Sequence, residues 1–168
     1  MTSMDTETLY NKLMTYLRRY DNEFKEFLEN QDQDYVMTIL TELKTRLRRL
    51  SEFKELTDFF FETPTDTQTE LLINPKMKIP DLETVKKWLE LSKAILEKQK
   101  WDFDSIDEIK EIFITEIKAA EMKNGQVLWP VRVALSMKKF SPGALELLYI
   151  LWREKSIQRI SKVLKDIS

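Results

Sequence analysis

With neither histidine nor cysteine among its 168 residues, the chain has only arginine, lysine, carboxylate and hydroxyl side chains with which to do chemistry. The missing histidine removes the commonest general base and metal ligand, so catalytic triads and histidine-ligated zinc sites are excluded within these residues. The missing cysteine excludes thiolate chemistry and any disulfide framework, which fits a reducing cytoplasm. The paired acids Asp102/Asp104 and Asp107/Glu108 read as helix-start residues rather than an acid–base pair. No calcium-loop spacing is present. Two glycines are too few for a dinucleotide fingerprint or a phosphate loop, which argues against nucleotide-dependent catalysis.

What is left for chemistry is cationic. Lys44, Arg46, Arg48 and Arg49 cluster where a helix over 35–50 would end, with Arg46 and Arg49 on one flank. They read either as a solvated face complementing the helix dipole or as contacts to RNA phosphates and bases. Arg132 stands alone between Val131 and Val133. It either points outward or pairs with an acid, or it aims a planar fork at a base edge or phosphate, a task that suits Arg better than Lys. Ser141-Pro142-Gly143-Ala144 is at least a helix entry, with an N-cap Ser and Pro at the first helical position. A helix start with so little bulk also exposes N–H donors and a flat proline face to an unstacked base.

The elements that must carry these residues are helical. Val36, Ile39, Leu40, Leu43, Leu47 and Leu50 recur at spacings of three and four, which predicts a helix over 35–50. The same period runs through Leu9, Leu13, Tyr16, Leu17 and Tyr20, through Leu82 to Leu96 behind Pro80-Asp81, and through Ile106 to Ala120. No stretch alternates apolar and polar residues for long, and Asn124-Gly125, which follows a helical pattern, reads as a helix stop. Pro130 is expected in the first turn of a helix through Val127 to Leu135, and Ser156 as the cap of a last helix over 157–167. The fold class is therefore all-α.

Glu62 to Pro80 holds three of the five prolines and a Thr/Asp/Gln tract, so it is expected to be a loop or boundary between two packed helical subdomains, 1–70 and 71–168. Phe59-Phe60-Phe61, without a helical or strand period, is expected to plug that joint. At this length a chain buries roughly 70% of its unfolded surface. No apolar run nears the ~18 residues of a membrane helix, and Met1 to Thr8 carries no basic stretch ahead of an apolar core, so no membrane and no secretory signal are expected. With 27 Lys+Arg against 29 Asp+Glu, a net charge of -2 weighs against strong non-specific nucleic-acid binding.

One combination of motifs is more specific than any of these patterns. Gly125-Gln126-Val127-Leu128-Trp129-Pro130-Val131-Arg132-Val133-Ala134-Leu135-Ser136, then Ser141-Pro142-Gly143, then Glu146 to Leu151, resembles the anticodon-binding region of bacterial-type glutamyl-tRNA synthetases. That family carries a GQxxxPxRxALxG segment followed by an (S/T)PG helix entry. Arg46-Leu47 followed by Leu50-Ser51-Glu52-Phe53-Lys54-Glu55-Leu56 and on to Phe61 is similar to the same family's first helical subdomain. The resemblance implies an α-helical cage, the anticodon-binding domain of a class I aminoacyl-tRNA synthetase, without the catalytic domain that binds ATP and Mg. Neither a HIGH-type nor a KMSKS-type signature is present, so the chain is expected to be non-catalytic and free of cofactors. Its expected partner is the anticodon arm of tRNA-Glu, met as a monomer. By motif position, Arg46, with Arg49 beside it, and Arg132, Ser141, Pro142, Gly143 and Ala144 would be the RNA-binding residues.

The family's glycines stand where this chain has Met137 and Trp152, and Ala144 replaces a larger apolar residue. Two large apolar side chains at glycine positions permit another reading, a repurposed or engineered scaffold that binds a protein partner through a surface including Met137 and Trp152. A third reading is a Bcl-2-homology-3-like helix at 13–24, although Asp21 stands where that motif needs a small residue and Asn22 where it needs Asp.

Overall fold

The computed structural model describes residues 3–100 and 102–168; Met1 and Thr2, at the head of the stretch read for a leader, lie outside the described residues. Among the described residues the structure is all-α. It has nine α-helices, two short 3-10 turns and a single isolated bridge between Asn74 and Ile79. The chain divides into two compact units, one ending at Phe61 and one running from Glu62 to Ser168, so residues 62–70 group with the second.

The first unit begins with α1 (Thr6–Tyr20), started by Asp5, whose carboxylate accepts the Thr8 N–H at 2.9 Å. Leu9, Leu13 and Leu17 form its buried stripe. Asp21 ends α1 and starts α2 (Asn22–Glu29): with φ at -154° it leaves the helix, and its carboxylate accepts the Phe24 N–H at 3.1 Å. Residues 13–24 are therefore two helices meeting at a cap, which removes the continuous helix that a Bcl-2-homology-3-like segment requires.

The third helix, α3 (Gln33–Leu43), is capped by Asp32 and buries Tyr35, Val36, Ile39, Leu40 and Leu43. It stops well short of the expected residue 50. Leu47 is still buried, and its N–H still donates to the Leu43 carbonyl at 3.0 Å, so the helical spacing outlives the helix by one turn. The Glu52 carboxylate then accepts the N–H groups of both Arg48 and Arg49 at 3.2 Å, with Arg49 extended ahead of a 3-10 turn over Leu50–Glu52.

Phe59-Phe60-Phe61, which shows no helical period in the sequence, is the last turn of α4 (Phe53–Phe61). The three rings serve different sides of one aromatic cluster. Phe61 meets Phe27 edge-on at 5.5 Å and Tyr35 at 6.0 Å, and the Tyr35 hydroxyl donates to the Phe60 carbonyl at 2.9 Å. Three consecutive rings that are buried or half-buried show no amphipathic period.

In the second unit the expected loop is partly ordered. It contains α5 (Thr69–Leu72) and a 3-10 turn over Pro75–Met77, closed by paired backbone bonds between Asn74 and Ile79 that pin fully buried Leu72 and Ile79. Then follow α6 (Leu82–Lys98), α7 (Ile106–Ala119), α8 (Asn124–Ser136) and α9 (Ala144–Ile167). The packing of α9 on α8 and of α6 on both forms the core of this unit.

Three local expectations are corrected here. Asn124-Gly125 opens α8 rather than closing α7. The stop comes earlier, at left-handed Glu121 (φ 57°), where Met122 N–H bonds Ile117 and Glu121 N–H bonds Lys118, the paired bonds of a Schellman end. Pro130 lies inside α8, not in its first turn. Ser156 caps nothing: it is buried mid-helix with its hydroxyl unpartnered among the described residues. The break in α9 falls at Trp152 (φ 64°, ψ 170°), and the helix resumes with the Arg153 N–H donating to the Asp102 carboxylate at 3.0 Å.

Candidate nucleic-acid interface

The corner between α8 and α9 is organised by Arg132. Trp129, three residues earlier on the same helix, fixes its indole by donating to the Leu71 carbonyl at 3.1 Å. The Arg132 guanidinium stacks over that ring at 4.5 Å, as the i,i+3 spacing allows. From there it donates to Ser141 Oγ at 2.8 Å and to the carbonyls of Lys139 at 3.2 Å and Lys138 at 3.4 Å. Arg132 therefore neither points outward nor pairs with an acid; it staples the turn 137–143 with its Nη groups. A guanidinium carries five donors, so Nε–H and one Nη2–H have no partner among the described residues. Burial lowers its pKa from the ordinary arginine value, yet the group stays charged at neutral pH.

The expected helix entry differs in detail. The cap of α9 is Gly143, not Ser141, and the Glu146 carboxylate accepts the Gly143 N–H at 2.7 Å. Ser141, outside the helix, accepts from Arg132 and donates to the Pro142 carbonyl at 2.8 Å. Pro142 and Ala144 are buried, whereas Ser141 and Gly143 are half-buried. The flat proline face is thus turned into the protein. What this corner offers to a partner is the rim of Arg132, Ser141 and the lysine-bearing turn.

At the tip of that turn Phe140 is 81% exposed, with the Lys139 ammonium 5.6 Å from its ring centre. The sequence reading missed both Phe140 and Trp129. The signals were an aromatic three residues before Arg132 and an aromatic directly after two lysines.

In the first unit Arg46 and Arg49 do not share a helix flank. Arg46 sits in the turn that follows α3, and Arg49 is the extended residue before the 3-10 turn. Both are exposed, as is Arg48. The structure thus brings Arg132 and Ser141 into contact and places Arg46 and Arg49 on a separate, irregular connector.

Met137 and Trp152 do not form a common surface. Met137 ends α8 in the left-handed conformation (φ 50°, ψ 34°) and is only 6% exposed, which removes one of the two anchors of the protein-binding alternative. Among the described residues no group of three or more acids could hold a metal ion, and no helix is long and apolar enough to cross a membrane.

Arginines, aromatics and exposed turns on a helical frame are the groups by which proteins read single-stranded nucleic acid. The chain is a member of the anticodon binding domain family, whose model matches residues 8–164. It is 38% identical over 145 residues to a glutamate–tRNA ligase of Clostridium botulinum, covering 83% of this chain and 28% of that protein. Over 134 residues it is 39% identical to the glutamate–tRNA ligase of Clostridium tetani, covering 76% and 26%. The crystal structure of a glutamate tRNA ligase from Elizabethkingia meningosepticum shares the fold, with a TM-score of 0.73 at 19% identity over 98% of this chain and 30% of the other. The chain thus spans little more than a quarter of the curated relatives it matches, in their C-terminal anticodon-binding part, and the catalytic domain is not among its 168 residues.

Proposed function

We propose that this chain is the tRNA anticodon-recognition module of a glutamate–tRNA ligase, non-catalytic by itself, and that its ligand is the anticodon arm of tRNA-Glu. The observation that carries the reading is the α8–α9 corner, where Arg132 is locked on Trp129 and keeps two guanidinium donors unspent beside exposed Phe140. Single-stranded RNA is read by splaying bases onto aromatic rings and hydrogen-bonding their edges. Phe140 supplies the ring and Arg132 the edge donors. Ser141 and Gly143 shape the backbone between them, with buried Pro142 and Ala144 holding the turn from beneath. Arg46 and Arg49, exposed on their connector, inspect a further base and its phosphate. ATP and Mg belong to the catalytic domain of the relatives, and this part works in the cytoplasm as a monomer.

Filter binding of tRNA-Glu at low salt tests the proposal. Phe140→Ala leaves the packed corner intact and is expected to weaken binding about 5- to 150-fold, the range for losing one base–aromatic stack. Arg46→Gln is expected to weaken it as well, with a shallower salt dependence. No binding, or binding indifferent to both substitutions, would sink the assignment.

A further inference from the structure

The outer face of α1 carries a shallow, open groove of about 520 Å³ that Leu50 also lines. Its polar lining includes Lys12 and Arg19 but no carboxylate. Tyr16 and Tyr20 lie along it with ring centres 4.8 Å apart, and the Arg19 guanidinium sits 5.3 Å from the Tyr20 ring centre. Tyr20 is 63% exposed, an unusual place for a large aromatic on a helix whose buried stripe is already complete with Leu9, Leu13 and Leu17. Of the acids that flank the groove in sequence, Glu7 is exposed beside Thr8 but does not line it, and Asp5 and Asp21 are held by hydrogen bonds. Asp5 accepts from the N–H and hydroxyl of Thr8, and Asp21 accepts from Lys54 and the Phe24 N–H.

A second groove, along α6, serves as an internal comparison. It is similar in size at about 480 Å³ but mixes Asp81, Glu83 and Glu90 with Lys86 and Lys87. It presents both signs and no aromatic ring, so it offers an anion nothing selective. The α1 groove differs in having one sign of charge and two rings, the combination by which proteins track a single strand: cations along the backbone, aromatic faces under the bases. Its Leu50 wall follows directly in the chain on Arg49, one of the two connector arginines proposed above to meet RNA.

We propose that the α1 groove is a second single-stranded RNA subsite, in which Tyr20, backed by Tyr16, stacks on an unpaired base while Lys12 and Arg19 neutralise the flanking phosphates. This rests on the RNA-binding reading above and extends it to a helix outside the motifs that carry the synthetase resemblance. The subsite is tolerant of sequence, because stacking and phosphate contacts read no base edge.

The test is fluorescence anisotropy on the full chain with a tRNA-Glu transcript, titrated against salt and followed by ultraviolet crosslinking. Tyr20→Ala is expected to lower affinity at least 5-fold, and the double variant Lys12→Gln/Arg19→Gln to reduce the slope of log K against log salt by about 1.4, two single-strand phosphates' worth. A crosslink should map to Tyr16 or Tyr20. All the substituted side chains are on the surface of α1, and circular dichroism melting would verify that the fold is unchanged. If Phe140→Ala weakens binding while the α1 variants alter neither affinity nor slope, the groove proposal falls and the anticodon reading stands. If the unaltered chain fails to bind tRNA-Glu, both fall together.

Discussion

Among the described residues four with side chains adopt positive φ, Lys78, Glu121, Met137 and Trp152, while both glycines, Gly125 and Gly143, lie outside the left-handed region with room for a Cβ. The resemblance had placed family glycines at 137 and 152, and the backbone at both positions has the conformation that favours glycine. Their consequences differ with burial. Trp152, at φ 64° and ψ 170°, occupies a region that is essentially glycine's alone and costs on the order of 1–3 kcal/mol, while its ring is 42% exposed. Trp152→Gly relieves the larger strain and removes a side chain already 42% exposed, so it should give the higher thermal midpoint of the two glycine variants in a differential scanning measurement. Met137 stores about 1–2 kcal/mol of left-handed strain but is buried, and its removal forfeits about 1.5–3 kcal/mol of apolar burial. Met137→Gly should leave the midpoint unchanged or lower it. A rise for Met137→Gly with a fall for Trp152→Gly would reverse the account. The glycine positions were legible from sequence only through the resemblance; the burial that decides the sign was not legible at all.

At the scale of elements, four helix starts carry the same plain signal, an aspartate ahead of the first turn, whereas the starts of α8 and α9 depart from what their prolines and serines suggest. The carboxylates of Asp5, Asp21, Asp32 and Asp81 each accept an N–H of the first turn they open. Ends were misread wherever an apolar residue kept the period after the backbone had left the helix, as at Leu47, or where a side chain distant in sequence set the boundary, as Asp102 does for the second half of α9. Asp21 yields a pH prediction. The Lys54 ammonium at 2.7 Å, and then the Phe24 N–H, hold its carboxyl below the usual range. A carboxylate depressed in the folded state stabilises the fold above its unfolded pKa and loses that contribution as pH falls through the folded value. The melting temperature should therefore drop as pH is lowered below 3.8, the ordinary value for this group. Asp21→Asn retains a good helix cap without a titrating group, so it should flatten that part of the profile. An unchanged acid limb would show that the α1–α2 junction does not depend on this ion pair.

For the whole molecule, a formal charge of -2 means that binding to RNA cannot rest on an excess of cations. It has to come from locally placed cations, as at the Arg132 corner and along the α1 groove, whose lining holds no carboxylate. The all-helical class and the Arg132–Ser141 constellation could be read from the sequence. The stacking of Arg132 on Trp129, the exposure of Phe140 and the burial of Pro142 could not, because they depend on how α8, α9 and the turn between them pack. Affinity for RNA should accordingly be moderate and its salt dependence shallow, with few phosphates neutralised. The central claim is that the chain reads an anticodon, and the most direct measurement compares its affinity for tRNA-Glu with that for the same tRNA carrying substituted anticodon bases. The account predicts a loss of about 10-fold or more for the substituted tRNA, from about 1–3 kcal/mol per misread base. Equal affinity for the two would contradict it.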